Sequence, residues 1–214
     1  MALELMNIGI TLHGVALIGP FSLNVAAGEI VTIMGPSGCG KSSLLAYVAG
    51  DIGSPLGGTG RVMIGGEDVS RLPLERRNIG RLFQDDLLFP HMTVAENLMF
   101  GVPRGPRAER EAMVQTGLRR IGMEDFGNRP PHTLSGGQRA RVSLMRALLA
   151  KPRAVLLDEP FNKFDAGLRR QMRGYVYAHL AERRVPGLLV SHEIADAPSG
   201  GRVLTIRNGE LQDA

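Results

Sequence analysis

Residues 35–42 form a glycine-rich segment that could bind the phosphates of a nucleotide. Lys41 could reach the β and γ phosphate oxygens, and the Ser42 hydroxyl could bind Mg²⁺. The segment matches the phosphate-loop pattern G-x-x-x-x-G-K-[ST] at every fixed position: Gly35, Pro36, Ser37, Gly38, Cys39, Gly40, Lys41 and Ser42. With the next residue, Ser43, these residues predict a binding site for ATP.

Two adjacent acids, Asp158 and Glu159, follow the apolar run 154–157. At the end of a strand both carboxylates can face one site. Asp158 would then hold Mg²⁺, and Glu159 would be the general base for the attacking water. Strands also end in acids simply because the next turn is solvated, so this pair alone does not distinguish the two interpretations.

A third segment, Leu134-Ser135-Gly136-Gly137-Gln138, precedes the predicted helix 139–150. Ser135 stands at or near the N-cap, and Gly136 and Gly137 would let an anion approach the helix start. An ordinary serine-capped helix would require neither the glycine pair nor Gln138, which favours phosphate binding. A chain with one phosphate loop has no obvious need for a second phosphate-binding helix start.

The phosphate-binding segment lies between a predicted strand and a predicted helix, the order that a phosphate loop requires. The strand, residues 30–34, is a continuous apolar run, typical of strands buried on both faces of a parallel sheet. Leu168, Met172, Val176 and Leu180 recur at every fourth residue and are predicted core positions of one helix. Further predicted elements are strands 3–6, 21–25, 154–157, 188–190 and 202–206 and a helix over 107–121.

These elements predict one α/β domain over residues 1–214, built on a phosphate-loop NTPase core with a mostly parallel sheet. The core and an N-terminal antiparallel β subdomain occupy residues 1–84 and 151–214. An inserted α-helical subdomain occupies residues 85–150.

Composition excludes several classes of protein. Because there are only ten aromatic residues (7 Phe and 3 Tyr) and a net charge of +4, we expect no direct binding to nucleic acid. A single cysteine, Cys39, excludes an internal disulfide framework and fits a reducing compartment. The apolar N-terminus lacks a basic leader, and no run of about 18 apolar residues predicts a membrane-spanning helix. Membrane attachment would therefore require a partner.

Taken together, the motifs and their order make the chain resemble the nucleotide-binding subunits of ABC transporters along essentially its whole length. Those subunits have a RecA-like core and hydrolyse ATP with Mg²⁺. The resemblance implies that Gln84 links the metal site to a transmembrane permease and that His192 contacts the γ-phosphate. On its own, His192 would more often be a satisfied histidine at a strand end. His13 lies where the family places an aromatic ring on adenine.

The resemblance also implies how the protein assembles. Two subunits would pair head to tail when ATP binds, so that residues 134–138 of one cap the nucleotide on the other's phosphate loop. Residues 162–165 resemble the loop that crosses between the two sites. Lys163 and Phe164 replace the small and aliphatic residues usual there, so we expect a bulky pair near the dimer seam. The subunit would be cytoplasmic and peripheral on the inner face of the membrane, held by the permease.

Two details favour import of a small solute, with a possible solute-binding protein in the full system. Asp158-Glu159-Pro160-Phe161 resembles the importer subset, and residues 83–97 look like the importer surface that receives the permease. An apolar hinge within the helical insertion is the alternative interpretation of that segment. The overall look is closest to small bacterial ATPases of thiamine, iron and polyamine uptake. An exporter ATPase, or a soluble ABC ATPase acting on ribosomes or nucleic acid, remains the alternative.

Overall fold

Ten strands form two sheets in the computed structural model, which describes residues 1–214. The first sheet has four strands in the order β2-β1-β4-β5, and the paired neighbours are antiparallel. Its two longest strands are joined by the two-residue turn His13-Gly14, where both φ angles are positive, as in a type I′ hairpin. The strands are β1 (Leu3–Leu12), β2 (Val15–Val25), β4 (Leu56–Ile64) and β5 (Glu67–Asp68).

The second sheet has six strands in the order β10-β9-β3-β8-β7-β6. They are β3 (Ile30–Met34), β6 (Ile79–Leu82), β7 (Ala154–Asp158), β8 (Gly187–Val190), β9 (Val203–Arg207) and β10 (Glu210–Asp213). β3 pairs in parallel with β8 and β9, and β7 pairs in parallel with β8, which confirms the predicted mostly parallel sheet. Every residue of β7 and β8 is buried, so the apolar runs reflect burial on both faces.

Six α-helices accompany the sheets: α1 (Lys41–Ala49), α2 (Leu74–Arg77), α3 (Val94–Gly101), α4 (Arg107–Arg120), α5 (Gly136–Leu149) and α6 (Ala166–Glu182). The prediction for α4 is right to within one residue. α5 begins three residues earlier than predicted, because Gly136 and Gly137 form its first turn. In α6 the predicted core positions Met172, Val176 and Leu180 are buried, while Leu168 is only half-buried.

The chain forms two compact units. The first comprises Met1–Arg81, Arg153–Glu159 and Arg173–Ala214, and its core contains apolar residues of both sheets and of α1. The second comprises Leu82–Pro152 and Pro160–Met172, in which α3, α4 and α5 pack on one another. No helix is both long and apolar enough to cross a membrane.

Candidate nucleotide-binding site

Three loops of the first unit leave its parallel sheet at the same edge. Ile33 in β3 and Asp158 in β7 both lie opposite Val190, the last residue of β8, which runs between these two strands. The phosphate loop, Glu159 and the segment containing His192 follow directly. Ligands of open α/β sheets bind at this carboxyl edge, so parallel pairing brings together residues far apart in sequence.

The phosphate loop is wrapped around the Lys41 ammonium group. Lys41 is 5% exposed, and its Nζ donates to the carbonyl oxygens of Gly35 and Pro36, each at 2.8 Å. Helix α1 starts after Gly40, whose φ is positive and whose added Cβ would lie 3.0 Å from the side chains of Ile18 and Leu17. The free N–H groups and partial positive charge of the helix start favour an anion here.

Asp158 has an unsatisfied oxygen in this site. It is 4% exposed, and its Oδ1 is buried without a hydrogen-bond partner. Burial raises the pKa of Asp158, with the Ser42 hydroxyl, Arg81 and Lys41 acting to lower it and Glu159 to raise it. A buried carboxylate oxygen beside a hydroxyl suits a hard cation that keeps most of its ligands as water and phosphate, as Mg²⁺ does. No group of three or more His, Cys, Asp or Glu side chains offers a metal site of another kind.

Glu159 and His192 are in direct contact. His192 Nε2 lies 2.9 Å from Glu159 Oε1, and the Glu159 side chain is 16% exposed. Glu159 adopts a positive φ, unusual for a residue with a side chain. Its N–H donates to the Val190 carbonyl at 3.0 Å. The backbone is therefore held in a strained conformation at the point where the candidate base leaves the sheet.

The segment that carries His192 is fixed by a buried network that the sequence did not reveal. The Ser191 hydroxyl donates to Asp196 Oδ2 at 2.7 Å and accepts the Glu193 N–H at 3.1 Å. Ser191 and Asp196 are both fully buried, and Arg173 Nη1 lies 3.5 Å from Asp196 Oδ1. Asp196 lies six residues after the end of β8. The sequence does not predict its burial, because an acid at such a position is usually exposed in a surface loop.

In the second unit, Ser135 is the N-cap of α5 and is exposed. Its hydroxyl accepts the Gln138 N–H at 3.3 Å, and Gln138 Oε1 accepts the Ser135 N–H at 2.8 Å. This is a capping box, so the expectation that a serine-capped helix has no use for Gln138 is wrong. Close packing also accounts for the glycine at position 137, because a Cβ added to Gly137 would lie 3.2 Å from the Lys163 carbonyl oxygen. No such contact explains Gly136.

In residues 162–165, which are predicted to lie near the dimer seam, both bulky side chains have partners within their own unit. Phe164 is 7% exposed, and its ring lies 6.4 Å from that of the fully buried Phe161, so it belongs to the core of the second unit. The Lys163 ammonium lies 3.0 Å from Asp86 Oδ1 within the same unit. The Phe164 ring points into the core because burial of its large apolar surface stabilises the fold.

The predicted permease surface, residues 83–97, is organised by one buried amide. Asn97 is fully buried, and its Nδ2 donates to the carbonyls of Phe89, Met92 and Thr93, while Oδ1 accepts the Phe89 N–H. The segment nevertheless exposes apolar surface. Leu87 is 55% exposed, and Phe89 stacks edge-on, at 4.7 Å, against Phe100 of α3, which is 65% exposed.

Two predicted contacts stay predictions. Gln84 is exposed two residues after the end of β6 and belongs to the second unit, so its role at the metal remains a hypothesis. His13 is exposed at the tip of the β1–β2 hairpin, where its N–H donates to the Pro55 carbonyl at 2.9 Å, and its stacking on adenine is likewise untested.

Comparison with known proteins gives the family. The ABC transporter family profile matches residues 18–162. The uncharacterized ABC transporter ATP-binding protein YnjD of Escherichia coli K12 is 40% identical over 199 residues, which is 92% of each protein. The spermidine/putrescine import ATP-binding protein PotA of the same strain is 37% identical over 98% of this chain, which spans 55% of that longer protein.

Solved structures agree with the fold. A dimeric, post-hydrolysis structure of the ATP-binding cassette MJ0796, bound to ADP and Pi, superposes with a TM-score of 0.84 at 28% identity. The match covers 99% of this chain and 98% of that one. With a phosphate loop, two strand-end acids and a histidine at one sheet edge, and relatives of this kind along its whole length, the chain belongs to the ABC transporter family as an ATP-binding, ATP-hydrolysing cassette.

Proposed function

We propose that this cassette powers a bacterial importer of a small solute by hydrolysing ATP in a head-to-tail homodimer attached to a permease. The observation that carries the hydrolytic site is the 2.9 Å contact between Glu159 and His192, next to the buried, unsatisfied Asp158 and the phosphate loop. These groups provide a base, a candidate cation ligand and phosphate-binding N–H donors at one sheet edge.

Each residue has a distinct task in this proposal. Lys41 and the start of α1 bind the β and γ phosphates, which requires Lys41 to exchange its carbonyl partners for phosphate oxygens. Ser42 and Asp158 would hold Mg²⁺, with Gln84 as the predicted third contact. Bound there, the cation would neutralise charge on the phosphates.

Glu159 accepts the proton of the attacking water, and the products are ADP and phosphate. With a proton on Nε2, His192 donates to the Glu159 carboxylate and so fixes its orientation. The Ser191–Asp196 hydrogen bond holds the backbone on either side of His192. The imidazole can then turn to the γ-phosphate, where developing charge is stabilised.

The partner subunit supplies the second half of each site. Ser135 and Gly136 are accessible at the start of α5, and no packing contact accounts for Gly136. A capped helix start with free N–H groups can bind the γ-phosphate held by another subunit. The dimeric structures of the related cassette support this arrangement.

The permease would bind the apolar surface around Leu87, Phe89 and Phe100. Leu87 and Phe100 are large exposed apolar side chains, and exposed apolar surface of this kind is typical of a protein interface. The proposal of import rests on this surface and on relatives named as spermidine/putrescine import proteins, of which this chain covers little more than half. The protein would then be cytoplasmic and peripheral on the inner membrane face, with a solute-binding protein as a further component.

The Glu159→Gln variant tests the catalytic assignment. We expect ATP turnover to fall on the order of 10²–10⁴-fold, while ATP binding is retained, because the amide keeps the shape but cannot accept the proton. Glu182→Gln, an exposed position at the end of α6, serves as the control and should hydrolyse at the normal rate. Near-normal turnover by Glu159→Gln would show that another group is the base.

A further inference from the structure

Asp86 lies at the centre of an ion cluster that joins three segments of the second unit. Its Oδ1 lies 3.0 Å from Lys163 Nζ, and its Oδ2 lies 3.3 Å from Arg139 Nε. The Asp86 side chain is 12% exposed, whereas those of the two cations are each 39% exposed. One nearly buried carboxylate therefore holds two partly solvated cations, and each of its oxygens has its own partner.

The two cations belong to segments that face the proposed partner subunit. Lys163 lies in the loop 162–165, and its carbonyl oxygen would be 3.2 Å from a Cβ at Gly137. Arg139 directly follows Gln138, and its Nη1 donates to the Leu134 carbonyl at 2.8 Å. Asp86 thus fixes the loop and the start of α5 against each other.

Asp86 itself belongs to the proposed permease surface. Arg146 Nη2 donates to the carbonyl of the next residue, Leu87, at 2.9 Å. Asp86, Leu87 and Arg139, with Pro131, line an open groove of about 380 Å³. An element of the permease seated in this groove would touch the ion cluster directly.

We propose that Asp86 is a positioning residue that couples closure of the dimer at residues 162–165 to movement of the proposed permease surface. The coupling acts in both directions, so binding of the permease also affects dimer closure. An isolated exposed ion pair contributes little and could not do this. The ion contacts of a carboxylate that is mostly removed from water and shared by two cations are stronger, because each contact limits the freedom of the other. Moving Lys163 or Arg139 must then move Asp86 and with it residues 86–92.

The proposal rests on the proposed ATP-driven dimer, and hydrogen exchange in the Glu159→Gln background separates the two. In that variant, ATP with Mg²⁺ should give a dimer on sizing and should slow amide exchange in residues 86–92 several-fold. Adding Lys163→Met should strongly reduce the slowing in residues 86–92, because residues 162–165 lose their contact with Asp86 and only that of Arg139 remains. Lys163→Arg should retain it, since the charge remains.

The matched control is Glu111→Gln, which breaks the Arg107–Glu111 pair (2.7 Å) on α4 in the same unit and should leave the slowing unchanged. The proposal is overturned if Lys163→Met keeps the slowing, or if the parent dimer shows none. If Lys163→Met prevents dimer formation, amide exchange is measured in Asp86→Asn instead. Retained slowing of residues 86–92 in the Asp86→Asn dimer also overturns the proposal. Absence of a dimer in the parent itself would instead contradict the proposed function.

Discussion

Asp158 illustrates how a single residue can favour function over stability. Its carboxyl is buried with one oxygen unpaired, and burial raises its pKa. An ionised, incompletely satisfied carboxylate disfavours the folded state until a cation binds. Keeping such a group costs stability in the nucleotide-free protein, as is common at catalytic sites.

Asp158→Asn should therefore stabilise the nucleotide-free protein while impairing ATP hydrolysis. Below the ordinary carboxyl pKa, Asp158 is protonated in both the folded and the unfolded states, so the two proteins should have similar Tm values. As pH rises from the ordinary carboxyl pKa to the raised folded-state pKa, the unfolded chain loses this proton before the native protein does. The wild-type protein therefore loses stability across this range, and the variant's advantage grows and then levels off. At neutral pH we expect the Tm of the variant to exceed that of the wild-type protein by roughly 2–4 °C for each ~1 kcal/mol of unfavourable burial that the substitution removes.

Thermal unfolding followed between about pH 3 and pH 8 checks this, since that range spans the ordinary carboxyl pKa and the values above it. Asp213→Asn, near the exposed C-terminus, is the control and should show no such trend. A lower Tm for Asp158→Asn at neutral pH would contradict the assignment of a net unfavourable burial.

The residue types of the site could be predicted from sequence, but their contacts could not. Lys41 and Ser42 are adjacent in one motif, and Asp158 and Glu159 are adjacent in another, so local spacing was sufficient. The contact of Glu159 with His192 depends on parallel pairing of β7 and β8, which connects positions far apart in the chain. Asp86 was missed because neither its partners nor its burial leaves a local pattern.

At the scale of elements, the proposed permease surface depends on one side chain. Asn97 satisfies three carbonyls and one N–H of residues 89–93 from the first turns of α3. Two of them have a second backbone partner, because the Phe89 carbonyl accepts the Met92 N–H and the Thr93 carbonyl accepts the Asn97 N–H. Removing the amide would leave the Met92 carbonyl and the Phe89 N–H without these partners in a half-buried place.

We expect Asn97→Ala to lower the free energy of unfolding by about 2–3 kcal/mol, because buried polar groups lose their partners. Urea denaturation measures this loss. Asn128→Ala, an exposed position in the same unit, should leave the free energy of unfolding nearly unchanged, as is usual for surface substitutions. Equal stability of the two variants would show that residues 89–93 are held by other contacts.

Elements buried on both faces were the easiest to predict. Apart from Thr32 in β3 and Asp158 at the end of β7, the strands β3, β7 and β8 are apolar, and their positions follow directly from the sequence. The start of α5 was placed too late because glycine has low helix propensity, and here the capping box of Ser135 and Gln138 outweighs that preference. The burial of Phe164 could not be predicted, because family resemblance gives position in the chain but not the direction of a side chain.

At the scale of the whole molecule, the central claim is that each active site needs two subunits. The phosphate loop with Lys41 lies in the first unit, and Ser135 lies in the second. In a head-to-tail dimer, the Lys41 side of one subunit meets the Ser135 side of the other, and two-fold symmetry creates two equivalent sites. A variant at either position alone would disable both sites of its homodimer.

Mixing two inactive variants tests this claim most directly. Ser135→Arg and Lys41→Met are each expected to hydrolyse ATP at a small fraction of the normal rate. In an equal mixture half of the dimers contain one of each, and one of their two sites has both Lys41 and Ser135 intact. Activity should then rise toward about a quarter of the wild-type rate, the limit set by symmetry. If the mixture shows only the average of the two separate activities at every ratio, Lys41 and Ser135 do not act across a dimer, and the account is contradicted.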